Sequence, residues 1–298
     1  MPKLAYDYQV FLWQPYGGIS RYIYEIATRV AQTQDFDVQI YALAYVNNYL
    51  KQCDPGLVFG FPIKDIPRSP LAIRLIRRAY AEVFKVLMTV QQPAVVHETF
   101  FYAKRLVPPK TKVVITVHDM IHEKFQTDFP KMYQDWGGDK GRMLKAECLK
   151  KADHIICVSQ SAKLDVMEML GISSDRLSVV YNGGSMLKAG SPQAVKSIPN
   201  VPMPYLLFVG QRQWYKNFQG LLQVYAQADH LMKAFHIVCF GGKPFSAEER
   251  QLMAELKIPE YKVVHMTGDD DTLIALYQNA TALIYPSLYE GFGIPPLV

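Results

Sequence analysis

The fold of this chain is constrained most by a repeated alternation of short apolar runs with helical patterns. In the first part of the chain the runs that predict buried strands are residues 38–44, 94–97, 113–117, 154–158 and 177–181. Four more apolar runs follow at 205–209, 237–240, 263–266 and 282–285. Strands that are apolar on both faces and joined by helices are typical of parallel sheets covered on both sides. The sequence therefore predicts an α/β protein.

Helical periodicity separates these runs. The first helix places one set of apolar residues on a single face at a spacing of 3.6 residues: Ile19, Tyr22, Ile23, Ile26, Ala27, Val30 and Ala31. A second helix is predicted over 69–90, with Ser69 as its N-cap and Pro70 in its first turn. Further helices are predicted at 141–152, 161–170, 218–228, 247–256 and 272–279.

The pattern breaks between residues 185 and 204, which hold several prolines and no sustained periodicity. We interpret 185–204 as a linker between two domains, 1–184 and 205–298. A chain of 298 residues is long enough for both.

Composition narrows the class of protein. The net charge of +5 fits an anionic substrate or surface and does not require nucleic acid. The four cysteines are scattered without a C-x-x-C pair, which favours reduced thiols in a cytoplasmic protein. The opening residues lack the pattern of a secretory signal. The most hydrophobic stretch, 69–90, is interrupted by arginines and a lysine, so we expect no membrane span.

Loops at the ends of the later strands predict a ligand site, because open parallel sheets bind ligands at the carboxyl ends of their strands. Gly210, the Gly-Gly-Lys of 241–243, Gly268 and the segment 286–293 each follow an apolar run. We expect these loops to converge and to accept a base, a diphosphate and a sugar.

The segment beginning at Glu290 is the most informative of these loops. We expect a helix to begin here, so that the backbone N–H groups of Gly291, Phe292, Gly293 and Ile294 attract phosphate. Glu290 could accept hydrogen bonds from sugar hydroxyls.

Two cations, Arg212 and Lys216, precede the helix expected at 218. A lysine at a helix start opposes the helix dipole, and a bound anion would remove that conflict. Arg212 could bind phosphate oxygens bidentately, with Lys216 as a point charge. The alternative is that both are solvated surface cations.

Gly17-Gly18 lies before the first helix, where glycines permit close approach of a ligand, although a plain turn would need them equally. His118 follows the strand at 113–117, with Asp119 beside it. It could donate to a sugar hydroxyl or a phosphate, or it could be structural. The absence of G-x-G-x-x-G argues against a nicotinamide-dependent oxidoreductase.

The run Asp269–Asp271 resembles an Asp-x-Asp metal motif, but we favour a helix start, where acids cap free N–H groups. No His/Cys cluster has zinc spacing, so no metal is expected. On the 69–90 helix, Arg74, Arg77, Arg78, Glu82 and Lys85 form a charged stripe. We expect a solvated face over a buried helix, with contact to anionic lipid headgroups as the alternative.

Together these segments resemble the family-4 retaining glycosyltransferases. The matching segments are Tyr-Gly-Gly-Ile-Ser-Arg-Tyr (16–22), Val-His-Asp (117–119), the run 152–159, Tyr-Asn-Gly (181–183), Val-Gly-Gln-Arg to Lys-Asn (209–217) and 285–297. The resemblance implies the GT-B fold of two facing Rossmann-like domains. The N-terminal domain would carry the acceptor and the C-terminal domain a nucleotide sugar, a UDP- or GDP-hexose.

The resemblance also implies residue roles. Arg212 and Lys216 would neutralise the diphosphate, and Glu290 would hold donor sugar hydroxyls. Residues 292–294 would offer N–H groups, Gly17-Gly18 would approach the diphosphate or acceptor, and His118 would contact the donor sugar. No cofactor or metal is implied. The acceptor would be a saccharide or a lipid-linked saccharide in surface-polysaccharide assembly, with peripheral membrane contact as a further expectation.

One departure concerns Val298, which stands where the family has a second glutamate that binds the nucleotide ribose. The later strands of the second domain are also missing, so the sequence predicts a shortened second domain with reduced activity. Two alternatives to the transferase stay open: a non-catalytic nucleotide- or sugar-binding remnant, and a nucleotide-sugar epimerase of the same fold.

Overall fold

The computed structural model describes residues 1–67, 69–183 and 201–297. The chain divides into two compact units, Met1–Tyr181 and Asn182–Val298. Most of the predicted linker, residues 185–200, lies outside the described residues, as does Val298.

The first unit is built on a seven-stranded sheet of order β3-β2-β1-β4-β5-β6-β7, in which every pair is parallel. Its strands are β1 (Lys3–Tyr6), β2 (Asp37–Tyr45), β3 (Val58–Pro62), β4 (Val95–Glu98), β5 (Lys112–Val117), β6 (His154–Cys157) and β7 (Leu177–Val179). Its helices are α1 (Gln9–Trp13), α2 (Gly18–Thr33), α3 (Pro70–Gln91), α4 (Ile121–Lys124), α5 (Pro130–Asp135), α6 (Gly138–Lys151) and α7 (Gln160–Leu170).

This sheet is covered on both faces, as its apolar strands predict. Ala5 and Tyr6 are neighbours on β1 and point to opposite faces. Ala5 packs in a cluster with Phe84 and Met88 of α3, whereas Tyr6 packs in a second cluster with Ile23 of α2.

The second unit is a smaller parallel sheet of order β10-β9-β8-β11. Its strands are β8 (Tyr205–Val209), β9 (His236–Phe240), β10 (Val263–Met266) and β11 (Ala282–Leu283). Its helices are α8 (Phe218–Gln227), α9 (Asp229–Ala234), α10 (Ala247–Glu255) and α11 (Asp270–Asn279). The prediction of an α/β fold with parallel sheets is confirmed.

The local signals for helix ends are also confirmed. The Ser69 side chain accepts a hydrogen bond from the Ala72 N–H, and Pro70 occupies the first turn of α3. Asp269 caps α11 by accepting from the Thr272 N–H, so the three aspartates begin a helix.

Two expectations for the last segment are wrong in detail. The strand expected at 282–285 is β11, only two residues long, although the Ile284 N–H still donates to the Leu207 carbonyl at 2.7 Å. Instead of an α-helix, the described residues after Glu290 contain an irregular turn and a short 3₁₀ turn, Pro295–Leu297. Gly293, with φ of 84°, and the two prolines that follow favour an irregular path over a helix start.

The charged residues of α3 are exposed, as expected, but the expectation that the rest of the helix is buried is wrong. Only Ala81, Phe84 and Met88 of this helix are buried, and Phe84 and Met88 pack with Ala5 of β1 and Tyr41 of β2. Large apolar side chains on its outer side remain exposed: Leu71, Leu75, Val83, Val86 and Val90. At 100° per residue, Arg77 lies about 60° from Arg74 and about 100° from Arg78, so the charged residues form a broad band and not one narrow stripe.

Candidate functional site

Two loops of the second unit are tied together at the carboxyl edge of its sheet. They follow β8 and β11, which are adjacent parallel strands. The Leu288 N–H donates to the Tyr215 carbonyl at 2.8 Å, and the Asn217 side-chain amide donates to the Pro286 carbonyl at 3.2 Å. Residues 210–217 and 286–293 therefore form one surface, as the positions of these loops predict.

Lys216 and Glu290 meet on this surface. The Lys216 ammonium lies 2.6 Å from Glu290 Oε1, and the two side chains are only 15% and 19% exposed. The same ammonium lies 5.3 Å from the centres of the Tyr215 and Tyr285 rings. Burial and the nearby Glu290 carboxylate raise the pKa of the Tyr285 hydroxyl. The site thus joins a largely desolvated cation to a carboxylate, a group that can accept hydrogen bonds from hydroxyl donors.

Gly293 borders this pair. Its φ of 84° favours glycine, and a Cβ added there would lie 3.7 Å from the Tyr285 ring. Among its neighbours, Gly291 is buried, and Phe292 and Ile294 are half-buried. These residues lie where the sequence places the phosphate-binding backbone, but as a turn and not as a helix start.

Arg212 does not lie free at the surface. Its guanidinium makes the bidentate contact predicted for phosphate with Glu249 instead, Nε to Oε1 at 2.9 Å and Nη2 to Oε2 at 3.4 Å. It also donates to the Gly241 and Lys243 carbonyls. The Phe245 ring covers it at 4.6 Å, and its side chain is 4% exposed. The alternative of two solvated cations is therefore wrong for both Arg212 and Lys216.

Glu249 is not singled out by the sequence as a site residue. Its visible signal is the Ser246-x-x-Glu249 capping box that begins α10, which the structure contains. The carboxylate serves the cap and Arg212 at the same time.

A glycine turn lies above Arg212. Gly210, Gly241 and Gly242 all have positive φ, and a Cβ added at Gly210 would meet no atom within 4 Å. The Gly241 N–H donates to the Met266 carbonyl, and the Gly210 N–H to the Phe240 carbonyl. This open, side-chain-free surface could accept a bulky anion against the backbone.

Gly268 has a different role. A Cβ there would lie 2.7 Å from the Thr272 side chain, so glycine is needed for close packing against the α11 start. Within residues 1–67, 69–183 and 201–297, no group of three or more His, Cys, Asp or Glu side chains could hold a metal ion.

The first unit holds the remaining predicted residues. Gly17 is the N-cap residue of α2 and Gly18 its first residue, and a Cβ at Gly18 would meet no atom within 4 Å. His118 follows β5 and packs edge-on against Tyr22 at 4.8 Å. Burial lowers the pKa of His118 to about 4, and the Lys145 ammonium adds to this while Asp119 opposes it. The imidazole is therefore neutral at pH 7 and can both donate and accept.

A buried ion pair that the sequence does not reveal supports the His118 loop. Lys145 Nζ of α6 donates to the Asp119 carbonyl at 2.8 Å and to Glu123 Oε2 at 3.0 Å. Both side chains are at most 5% exposed, and the Phe101 and Trp136 rings flank the ammonium. No motif links these residues, since the contact joins three separate segments of the chain.

Each unit thus collects part of the predicted set. Gly210, Arg212, Lys216, Glu290 and Gly293 lie at the carboxyl edge of the second sheet. Gly17, Gly18 and His118 follow strand ends of the first sheet.

Matches to models of known protein families show to which family this chain belongs. The model of Glycosyltransferase Family 4 matches residues 16–184, and that of Glycosyl transferases group 1 matches residues 193–297. The chain belongs to Glycosyltransferase Family 4. The first match ends just before the predicted linker, and the second begins within it, at residue 193.

Curated relatives include glycosyltransferases of polysaccharide synthesis. The O-antigen chain mannosyltransferase RfbU of Salmonella typhimurium is 29% identical over 195 residues, which cover 64% of this chain and 50% of RfbU. The N,N'-diacetylbacillosaminyl-diphospho-undecaprenol alpha-1,3-N-acetylgalactosaminyltransferase of Campylobacter jejuni is 26% identical over 157 residues, 50% of this chain and 40% of that protein. The family-4 chain therefore matches only about half of the length of RfbU.

Solved structures support the fold. WaaG, a glycosyltransferase involved in lipopolysaccharide biosynthesis, matches with a TM-score of 0.64 at 17% identity, over 98% of this chain and 76% of WaaG. The family-4 chain therefore has GT-B-type Rossmann-like units, as the resemblance implies. No helix among its described residues is long and apolar enough to cross a bilayer.

Proposed function

We propose that the protein is a retaining glycosyltransferase that moves a hexose from a UDP- or GDP-sugar to a saccharide or lipid-linked saccharide acceptor in surface-polysaccharide synthesis. The observation that carries the proposal is the Lys216–Glu290 pair at the edge of the second sheet. The names of the Salmonella and Campylobacter relatives support the pathway and a diphosphate-linked lipid acceptor.

The pair suits the junction between phosphate and sugar in the donor. Lys216 would neutralise the diphosphate, and Glu290, 2.6 Å away, would accept hydrogen bonds from the sugar hydroxyls next to it. The glycine turn at Gly210 would let the diphosphate approach the backbone, and residues 291–294 would add N–H donors.

Arg212 would act with Lys216 on the charge that develops on the leaving diphosphate. Because Glu249 orients its guanidinium, the positive charge is fixed before the donor binds. His118 would contact the donor sugar as a neutral imidazole, and Gly17-Gly18 would approach the diphosphate or the acceptor.

We propose that no divalent ion is needed, since Lys216 and Arg212 can neutralise the diphosphate. We also propose that the protein works in the cytoplasm, peripherally at the inner face of the membrane, where a lipid-linked acceptor would be presented. The basic net charge of +5 supports contact with an anionic surface.

The test is a transfer assay on the full chain with UDP- and GDP-hexoses and a polyprenyl-diphosphate saccharide, with and without a chelator. We expect a glycosylated product whose new linkage keeps the anomeric configuration of the donor. Nucleotide binding by calorimetry without any product would instead support a binding remnant. Turnover of the sugar nucleotide without acceptor would indicate an epimerase.

A further inference from the structure

The outer side of α3 carries an unusual amount of exposed apolar surface for a helix of a globular unit. Leu75, Val86 and Val90 are 57%, 62% and 71% exposed, and Leu71 and Val83 are exposed as well. The opposite side of the same helix packs into the core through Phe84 and Met88. The helix is therefore apolar on two sides, and its outer apolar row is not explained by folding of this unit.

A row of cations borders this apolar row. Arg74 and Arg78 are four residues apart and Lys85 follows seven residues later, so the three lie on one side of the helix. All three are exposed. The helix contains one acidic residue, Glu82, and four cations, of which Arg77 is the fourth. An apolar row flanked by cations is the arrangement of helices that lie in the interface of an anionic bilayer.

The neighbouring edge strand adds to the same surface. Phe59 of β3 is 45% exposed and contacts the Tyr41 ring, which also packs against Phe84 of α3. Phe59 therefore lies on the side of the sheet that α3 covers. Phenylalanine is among the residues found on the apolar face of structures that lie in a membrane interface.

The start of α3 also borders a cavity of about 520 Å³ at the carboxyl ends of β1, β2 and β3. Ile73 from the first turn of α3 lines it, together with Trp13, Asn48, Lys51 and Lys64. The lining also includes the Asp65 carboxylate. An aromatic ring, an amide, a carboxylate and two ammonium groups suit a saccharide, and the ammonium groups could pair with a phosphate that it carries. A molecule anchored in a bilayer beneath α3 could reach this cavity without leaving the surface of the unit.

We infer that the outer face of α3, formed by Leu71, Leu75, Val83, Val86 and Val90 with Arg74, Arg78 and Lys85, docks on an anionic membrane. The inference rests on the proposed function, because it places the lipid-linked acceptor beside the cavity. A second copy of the chain is the rival occupant, but the row of like charges would face itself in a symmetric pair and disfavour that contact.

The test is co-sedimentation of the full chain with vesicles of phosphatidylcholine alone or of phosphatidylcholine with roughly 30% phosphatidylglycerol. The anionic lipid gives the vesicles a negative surface potential similar to that of the cytoplasmic leaflet of a membrane. We expect binding to the anionic vesicles that weakens with salt. Leu75→Glu/Val86→Glu should abolish it, whereas Leu164→Glu, at a 53% exposed leucine of α7, should not.

A charge-only variant keeps the test independent of apolar packing. Arg74→Ala/Arg78→Ala/Lys85→Ala should weaken vesicle binding on the order of 100-fold, since each cation near the surface adds roughly a factor of five. The matched control, Lys131→Ala/Lys140→Ala/Lys150→Ala, removes three exposed cations elsewhere in the unit and has the same net charge, 5 − 3 = +2.

Equal vesicle binding by the two triple variants would overturn the inference. The inference would also be overturned if light scattering shows that the wild type is a dimer, that Leu75→Glu/Val86→Glu dissociates this dimer, and that the wild type does not bind vesicles. None of these measurements uses a nucleotide sugar, so their outcome is independent of the transfer assay. A transfer assay with a water-soluble acceptor needs no membrane and therefore tests the proposed function alone.

Discussion

Lys216 Nζ lies 2.6 Å from Glu290 Oε1, so each side chain holds the other at the edge of the second sheet. We predict that Lys216→Ala weakens binding of UDP or GDP by a factor of about ten to one hundred, because a lost hydrogen bond to a charged group costs roughly 1.5–3 kcal/mol. Calorimetry measures this loss. Lys233→Ala is the control and should bind normally, because Lys233 is an exposed lysine that precedes β9, at the amino ends of the strands.

Glu290→Gln should separate the two roles of the pair. We expect affinity for the sugar nucleotide to fall more than affinity for the free nucleotide, since the carboxylate would hold sugar hydroxyls. An equal loss for both ligands would place Glu290 on the nucleotide and contradict the proposed role.

Arg212 and Glu249 should be coupled in stability. Arg212→Met leaves the half-buried Glu249 carboxylate without its cation and should cost on the order of 3 kcal/mol, whereas Arg212→Met/Glu249→Gln should recover part of that loss. Urea unfolding of the wild type, both single variants and the double variant gives the coupling energy. Additive losses would show that the contact contributes little.

Lys145 should control the titration of His118. Lys145→Met removes a nearby positive charge, so the pKa of His118 should rise from about 4 towards its ordinary value, though burial will keep it low. NMR of the imidazole measures the shift. Lys145→Arg keeps the charge and is the matched control, and an unchanged His118 pKa in Lys145→Met would contradict this coupling.

Glu98 predicts a pH dependence of stability. Burial raises its pKa to about 7, against the opposing effect of Lys151, while the unfolded value is 4.5. The folded form therefore holds the proton more tightly, and this contribution to stability is full below pH 4.5 and is lost as the pH rises through 7. Glu98→Gln cannot titrate, so the stability of the wild type relative to this variant should decrease between pH 5 and pH 8.

Urea unfolding of both proteins at several pH values measures that difference, and the comparison cancels the titration of other groups such as His118. A difference for Glu98→Gln that does not change with pH would contradict the prediction.

Much of the fold could be predicted because its signals are local. Ser69 and Pro70 mark the start of α3, and Asp269 marks the start of α11, each through contacts within one helical turn. The shortest elements, such as α1 and α4, escaped prediction because four or five residues do not complete a recognisable period.

The candidate site could be located from the sequence but not resolved in detail. Strand ends place Arg212, Lys216 and Glu290 at one edge, yet the partner of Arg212 lies 37 residues away and only folding brings Glu249 to it. Similarly, α3 is apolar on two sides, and periodicity alone cannot tell which of these sides meets the sheet.

The link between the Leu288 N–H and the Tyr215 carbonyl joins the two site loops through main-chain atoms alone. Because neither side chain takes part, positions 215 and 288 can change identity without separating the loops. Leu288 is 57% exposed beside the Lys216–Glu290 pair. A library randomised at these two positions would therefore vary the side chains around the Lys216–Glu290 pair while the loops stay joined, and natural divergence could use the same route.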